Sequence, residues 1–175
     1  MTFKKELAAA IRTVPDFPEP GVQFKDITPI LGDRDLLRKA VAALAQPYED
    51  SGVTKVIAIE ARGFILGSLL AHHLGAGFVP IRKRGKLPFQ TAEESYQLEY
   101  GTDIIQMHID AVMKDDVVLI HDDVIATGGT ASAAYRLARR FEADVAGYSF
   151  LIELGFLGGR QKLEANLPVH VVLPM

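Results

Sequence analysis

Apolar runs without polar alternation constrain this chain more than any other feature. Val53–Ile59 contains VIAI and Asp116–His121 contains VVLI; Phe78–Ile81, Val145–Ile152 and Val169–Leu173 are of the same kind. A strand with one wetted face alternates apolar and polar residues, whereas a parallel strand covered on both faces reads as a continuous apolar run. Helical stretches fall between several of these runs. Ala61-Arg62-Gly63 turns into a helix through Leu74, and a glycine-rich turn opens another that reaches about Phe141. The pattern predicts an α/β fold with a mostly parallel central sheet flanked by helices. Ile104–Ile109 alternates more and is expected as an edge strand.

Ahead of this region, Phe3, Leu7, Ala10 and Ile11 have helical spacing, and a second helix is expected from about Asp33 to Ala45. Val14-Pro15-Asp16-Phe17-Pro18-Glu19-Pro20-Gly21 separates them. Prolines this dense exclude a helix or a central strand, so the segment is expected as an ordered loop or a disordered linker. Phe17 and Phe24 favour order. The 175 residues fit one domain, 1–175, and Lys+Arg 19 against Asp+Glu 22 leaves a net charge of −3. Nucleic-acid-binding domains are usually strongly basic, so no nucleic-acid partner is expected and any anion site must be local. The absence of cysteine excludes disulfide scaffolds, Cys-based zinc sites and thiolate nucleophiles. It also fits a reducing, cytoplasmic setting. Glu6 and Arg12 interrupt any signal-like apolar segment, and the stretch Phe64–Ala71 is far shorter than the roughly 20 residues a membrane span needs. No membrane partner is expected.

The chemistry concentrates where Val117–His121 meets Asp122-Asp123-Val124-Ile125-Ala126-Thr127-Gly128-Gly129-Thr130. Ligands of open parallel sheets collect at the carboxyl ends of the strands. A Gly-Gly turn opening a helix presents bare amides with the positive end of the helix dipole behind them, which is a phosphate cradle. Thr127 and Thr130 add hydroxyl donors, and Thr130 is a candidate N-cap. No Lys-Ser/Thr follows the glycines, so this is not a Walker A loop, and it is not GxGxxG. Two carboxylates would repel a phosphate, so Asp122 and Asp123 should face something else: ribose hydroxyls, a metal ion or a cationic transition state. A ligand carrying both phosphate and ribose resolves the conflict. Arg82, Lys83, Arg84 and Lys86 form a separate cation cluster, and with Arg62 at another strand end they can clamp pyrophosphate. A solvated face is the ordinary alternative for such a cluster. The segment from Arg82 to Thr102 has weak periodicity, and its length favours a functional lid.

The run from His121 to Thr130 resembles the phosphoribosyl pyrophosphate signature of type I phosphoribosyltransferases, and its ATGGT close resembles the adenine-using branch of that family. Asp16-Phe17-Pro18 through Ile27 is similar to the family's N-terminal base-binding segment. Glu60-Ala61-Arg62-Gly63-Phe64 and Arg82–Pro88 resemble its pyrophosphate-side motifs, and Ser95–Gly101 its mobile-loop motif. The matches occur in order and cover nearly the whole chain. The resemblance implies the type I phosphoribosyltransferase fold, with an N-terminal hood (1–32) and a mobile catalytic lid (82–101).

The implied reaction is transfer of the 5-phosphoribosyl group from 5-phosphoribosyl 1-pyrophosphate to adenine, giving AMP and pyrophosphate in purine salvage. Asp122 and Asp123 would hold the ribose, Ala126, Thr127, Gly128, Gly129 and Thr130 the 5′-phosphate, and Arg62, Arg82, Lys83 and Lys86 the pyrophosphate. Val22, Phe24, Lys25 and Leu154 would hold adenine, with Phe24 and Leu154 as the sandwich. Glu99 is the implied proton acceptor, with Tyr100 positioning the lid. Magnesium would arrive on the pyrophosphate, held mainly by substrate oxygens and water rather than by a protein cage. A homodimer is implied as well. Two departures stand out: Lys25 replaces the arginine of vertebrate members and lacks its planar fork, and His121 sits where the signature usually has an aliphatic residue. His121 is then a core histidine or an intermolecular contact, not a catalytic group. His72, His73, His108 and His170 lack a metal or catalytic context. A 6-oxopurine phosphoribosyltransferase and a non-enzymatic sensor of phosphoribosyl pyrophosphate remain the alternatives.

Overall fold

A computed structural model describes residues 3–98 and 101–175. The chain divides into two compact units, Met1–Ala43 and Leu44–Met175.

In the first unit, α1 (Phe3–Ala10) precedes an antiparallel hairpin of β1 (Arg12–Pro15) and β2 (Gln23–Asp26), then α2 (Thr28–Gly32) and α3 (Arg34–Ala45). Most of the proline-rich segment is the ordered-loop alternative: Asp16–Gly21 connect β1 to β2, and the Gly21 amide donates to Asp16 Oδ1 at 2.7 Å. Val14 and Pro15 enter a short strand of a two-stranded sheet, where a missing amide costs no central ladder bond. Phe17 and Phe24 meet edge to face, with centroids 5.1 Å apart. Asp33 caps α3: its Oδ1 accepts the amides of Asp35 and Leu36, both at 2.9 Å. Those amides hold its carboxyl below the ordinary value.

The second unit is built on a seven-stranded sheet in the order β5-β6-β4-β3-β7-β8-β9. The strands are β3 (Lys55–Ile59), β4 (Gly77–Lys83), β5 (Thr91–Leu98), β6 (Gly101–His108), β7 (Val117–Ile125), β8 (Asp144–Glu153) and β9 (Val169–Pro174). Five of them, β4-β3-β7-β8-β9, are mutually parallel. These are the five apolar runs. The hairpin β5–β6 joins β4 antiparallel, so β6 is not the edge strand expected at Ile104–Ile109: β5 covers it through eight paired positions. Helix α4 (Gly63–His73) connects β3 to β4, and α5 (Gly129–Arg139) connects β7 to β8. The two crossovers proceed in opposite directions along the sheet. Right-handed connections therefore place α4 and α5 on opposite faces and make the boundary between β3 and β7 the topological switch point.

The core of this unit joins Ile57, Ile59, Val79, Ile81, Val118, Ile120 and Phe150 to Ala133, Ala134 and Leu137 of α5. The small α5 residues let that helix lie close to the sheet. His121 is fully buried and Nδ1 meets the Ser149 carbonyl oxygen at 2.9 Å. It is a core histidine, and burial lowers its pKa to about 4. Among the described residues, no helix is long and apolar enough to cross a membrane.

Candidate active site

Two strand ends build the site at the switch point. Leaving β3, the chain passes Glu60, a cis Glu60–Ala61 peptide and Arg62 before α4 begins. On the neighbouring strand, Asp122 and Asp123 lie within β7, and the 126–130 loop follows. Both acidic residues are thus strand residues with fixed backbone.

The loop ends at Gly128, which takes φ +76° as the N-cap of α5. This corrects the expectation for Thr130, which lies inside the first turn while no side chain caps the helix. The left-handed turn is one that glycine adopts without strain. Ser132 is the residue whose amide reaches the Gly128 carbonyl, at 3.0 Å, so the amides at 128–131 have no acceptor within the helix. They and the helix dipole make an anion site without any lysine. Asp122, residues 124–128, Thr130, Ala131 and Phe150 line a small pocket here.

Gly159 backs the loop so closely that a Cβ on Gly128 would overlap the Gly159 carbonyl oxygen, and one on Gly159 would overlap the Ala126 carbonyl oxygen. The sequence reading missed this buttress, although the Gly158-Gly159 dipeptide was its signal. At the other strand end, a Cβ on Gly63 would stand 2.8 Å from Asp122 Oδ1, so glycine lets the start of α4 approach that carboxylate.

Asp123 is 3% exposed and accepts Arg62 Nε at 2.6 Å. Asp122 Oδ1 accepts the Asp123 amide at 2.8 Å. Burial, reinforced by the Asp123 carboxylate, pushes the Asp122 carboxyl well above the usual carboxylate range. Two adjacent carboxyls that share a site in this way suit donors such as hydroxyls.

The cation cluster is not the bare positive patch that local spacing suggests. Glu60, whose side chain is 8% exposed, accepts Arg82 Nε at 2.9 Å and the Lys83 amide at 2.7 Å, and Lys86 Nζ lies 3.3 Å away. Burial pushes the Glu60 carboxyl up, but the Lys83 amide, Arg82 and Lys86 together bring it below its ordinary value. Lys83 Nζ meets Asp103 at 2.9 Å, which raises its pKa, and Arg84 meets Glu93 at 3.3 Å. The carboxylates hold the cations in place at the site's rim, and Arg82 and Lys86 keep solvent-facing surface there.

Within the expected lid segment, Thr91–Leu98 form β5, which pairs with β6. Along β5, Ala92, Glu94 and Tyr96 share one face; Ala92 and Tyr96 pack on the core. Tyr96 Oη donates to Asp103 at 3.2 Å. Glu99 and Tyr100 lie outside the described residues. Of the expected adenine residues, Phe24 has Phe17 as an aromatic neighbour, Lys25 Nζ donates to Thr13 Oγ1 at 2.9 Å, and Val22 is 41% exposed. Leu154 belongs to the other unit, where its amide donates to the Ile125 carbonyl at 3.0 Å.

Comparison with known proteins agrees with this geometry. The family model described as the phosphoribosyl transferase domain matches residues 30–161. The adenine phosphoribosyltransferase of Nitrobacter hamburgensis is 53% identical over 174 residues, which is 99% of this chain and 97% of that protein. The crystal structure of the Rhodothermus marinus adenine phosphoribosyltransferase is 64% identical, covers 99% of both chains and superposes with a TM-score of 0.97. The Saccharomyces cerevisiae enzyme, solved with adenine and a dideoxy-imino-altritol bisphosphate, is 39% identical with a TM-score of 0.92, covering 98% of this chain and 99% of that one.

Proposed function

The chain belongs to the phosphoribosyltransferase family, among the adenine phosphoribosyltransferases, and from that premise we propose how its own residues carry out the transfer. The reaction moves the 5-phosphoribosyl group from 5-phosphoribosyl 1-pyrophosphate to adenine, giving AMP and pyrophosphate in purine salvage. One observation carries the residue assignment. A pair of adjacent carboxyls with Asp123 buried, a lysine-free anion loop and a carboxylate-braced cation cluster meet around adjacent strand ends at the switch point.

A ring nitrogen of adenine bonds to the anomeric carbon as the bond from that carbon to the pyrophosphate oxygen breaks. The electron pair of the broken bond leaves with pyrophosphate, and the base gives up its ring proton. Asp122 and Asp123 accept hydrogen bonds from the ribose hydroxyls, and the 126–130 amides hold the 5′-phosphate. The ribose is thereby fixed at both ends, which supplies the alignment that displacement needs. Arg62, Arg82, Lys83 and Lys86 stabilise the charge that grows on the leaving group. Phe24 and Leu154 sandwich the base, with Val22 and Lys25 beside it. Glu99 takes the base's proton, and Tyr100 seats the lid that keeps water from hydrolysing the same substrate.

When magnesium arrives on the pyrophosphate, it would supply further charge neutralisation there, beside Arg62, Arg82, Lys83 and Lys86. Arg62, Arg82, the Lys83 amide and Lys86 already engage the carboxylates of Asp123 and Glu60, which fits a metal carried by the substrate. A homodimer and a cytoplasmic setting belong to the same proposal. Supporting the dimer, α4 leaves Ile65 45% exposed near its start while Leu66 and Leu70 are buried against its own unit.

Steady-state kinetics of Glu99→Gln test the proton step. The expected kcat is lower by well over tenfold, since a lost general base typically costs about a hundredfold or more. A value within about twofold of the parent would remove Glu99 from the mechanism.

A further inference from the structure

The hairpin that carries the lid is joined to the rest of the sheet by a short seam. Strand β6 pairs with β4 at two positions, Arg82↔Gln106 and Lys83↔Ile105, and the Arg84 amide adds one backbone bond to the Ile104 carbonyl at 3.2 Å. Side-chain bridges extend that seam, but toward the cation segment: Lys83 to Asp103, Arg84 to Glu93, and the Gly85 amide to Gln106 Oε1. The outer strand β5 is held differently. Its Glu94, with a side chain only 14% exposed, has each carboxylate oxygen on a different guanidinium, one from Arg136 in α5 and one from Arg140 at that helix's C-cap. Arg136 Nε donates to Oε1 at 2.9 Å, and Arg140 Nη2 lies 2.8 Å from Oε2.

Arg136 makes two further bonds. Nη2 donates to the Ser95 carbonyl oxygen of β5 at 3.0 Å, and Nη1 to Ser132 Oγ in the first turn of α5, also at 3.0 Å. Ser132 is the residue whose amide closes on Gly128, the cap of the phosphate loop. One guanidinium therefore holds the strand backbone and the helix turn that presents the anion loop.

We propose that Arg136 is a positioning residue for phosphoribosyl transfer: it clasps the lid's outer strand to the phosphate helix and so sets where the lid stands over the substrate. This rests on the function proposed above. Arg136 does not need to touch substrate. Its planar fork reaches three acceptors at once, which an ammonium on a flexible stem does not reproduce. Arg140 retains Glu94 when Arg136 is lost, so the fold should survive while the strand's backbone anchor and its registry to Ser132 do not. A displacement of about 1 Å in a catalytic element can cost up to about a hundredfold in rate.

The test compares the parent with Arg136→Met, Arg136→Lys and Glu94→Gln. Three quantities are measured: kcat, KM for phosphoribosyl pyrophosphate, and amide hydrogen exchange across Thr91–Leu98. Arg136→Met should lower kcat by about tenfold or more while KM moves by less than about threefold, because the turn that binds the 5′-phosphate keeps its own backbone bond from the Ser132 amide to the Gly128 carbonyl. Exchange in β5 should rise, and Arg136→Lys should recover part of both effects. Should the methionine variant not fold, Glu94→Gln keeps the side-chain shape and puts the same question to the other half of the clasp. A kcat within about twofold of the parent, or unchanged exchange in β5, would overturn the proposal. Failure of the parent to use adenine would instead refute the functional assignment, and exchange would still judge the clasp.

Discussion

Replacing His121 with valine should change how stability responds to acid. In the folded protein the imidazole is fully buried beneath α4, with Nδ1 on the Ser149 carbonyl and Nε2 without a hydrogen-bond partner among the described residues. Burial lowers its pKa from 6.5 to about 4. Above pH 6.5 both folded and unfolded chains carry a neutral ring, so the histidine costs nothing. As pH falls below 6.5, the unfolded chain takes up a proton that the folded core refuses. Stability therefore declines from 6.5 down to about 4, and below that both states are protonated. Each pH unit inside this window is worth about 1.4 kcal/mol, so the drop between pH 7 and pH 5 is about 2 kcal/mol. The assay is urea unfolding of the parent and His121→Val at both pH values. Asp122 titrates in both proteins, so its contribution largely cancels in the difference. The parent should lose about 2 kcal/mol more than the variant over this interval, equivalent to a melting shift of about 4–8 °C for a chain of this size. Parallel pH dependences in the two proteins would refute the assignment of a neutral, buried imidazole.

Three other substitutions test separate parts of the structure. Gly128→Ala combines a left-handed backbone with overlap on the Gly159 carbonyl, so stability should fall by about 2 kcal/mol or more, and kcat/KM for phosphoribosyl pyrophosphate by about a hundredfold, in thermal unfolding and steady-state assays. Glu60→Gln removes the charge that braces Arg82 and Lys86; KM for pyrophosphate in the reverse reaction should rise about tenfold. Tyr48→Phe deletes a buried hydroxyl that donates to the Tyr148 carbonyl at 2.7 Å, and should cost about 1 kcal/mol in urea unfolding while leaving kcat unchanged.

The parallel strands were legible in the sequence because burial on both faces leaves an apolar run that is visible locally. The phosphate loop was legible for a similar reason: Asp122 to Thr130 is one contiguous segment whose glycines mark the turn. Strand β5 was not. Its inward face is Ala92, Glu94 and Tyr96, and Glu94 can sit half-buried there only because Arg136 and Arg140, more than 40 residues downstream, pair with it. The charge balance of the cation cluster was hidden in the same way, since Glu60, Asp103 and Glu93 are brought to it by strand pairing rather than by adjacency. Thr130 was misjudged as a cap because a hydroxyl is the usual N-cap signal, whereas here the preceding loop turns left-handed at Gly128 and shifts the helix start. The choice between a core and an intermolecular role for His121 needed the position of α4, whose Gly67 packs against the imidazole.

Pyrophosphate release tests the central claim most directly. The protein is incubated with 5-phosphoribosyl 1-pyrophosphate and magnesium, with adenine, hypoxanthine, guanine or xanthine supplied singly, and the nucleotide product is identified. Adenine alone should support rapid release with stoichiometric AMP. Release with a 6-oxopurine but not with adenine, or none with any base, would contradict it.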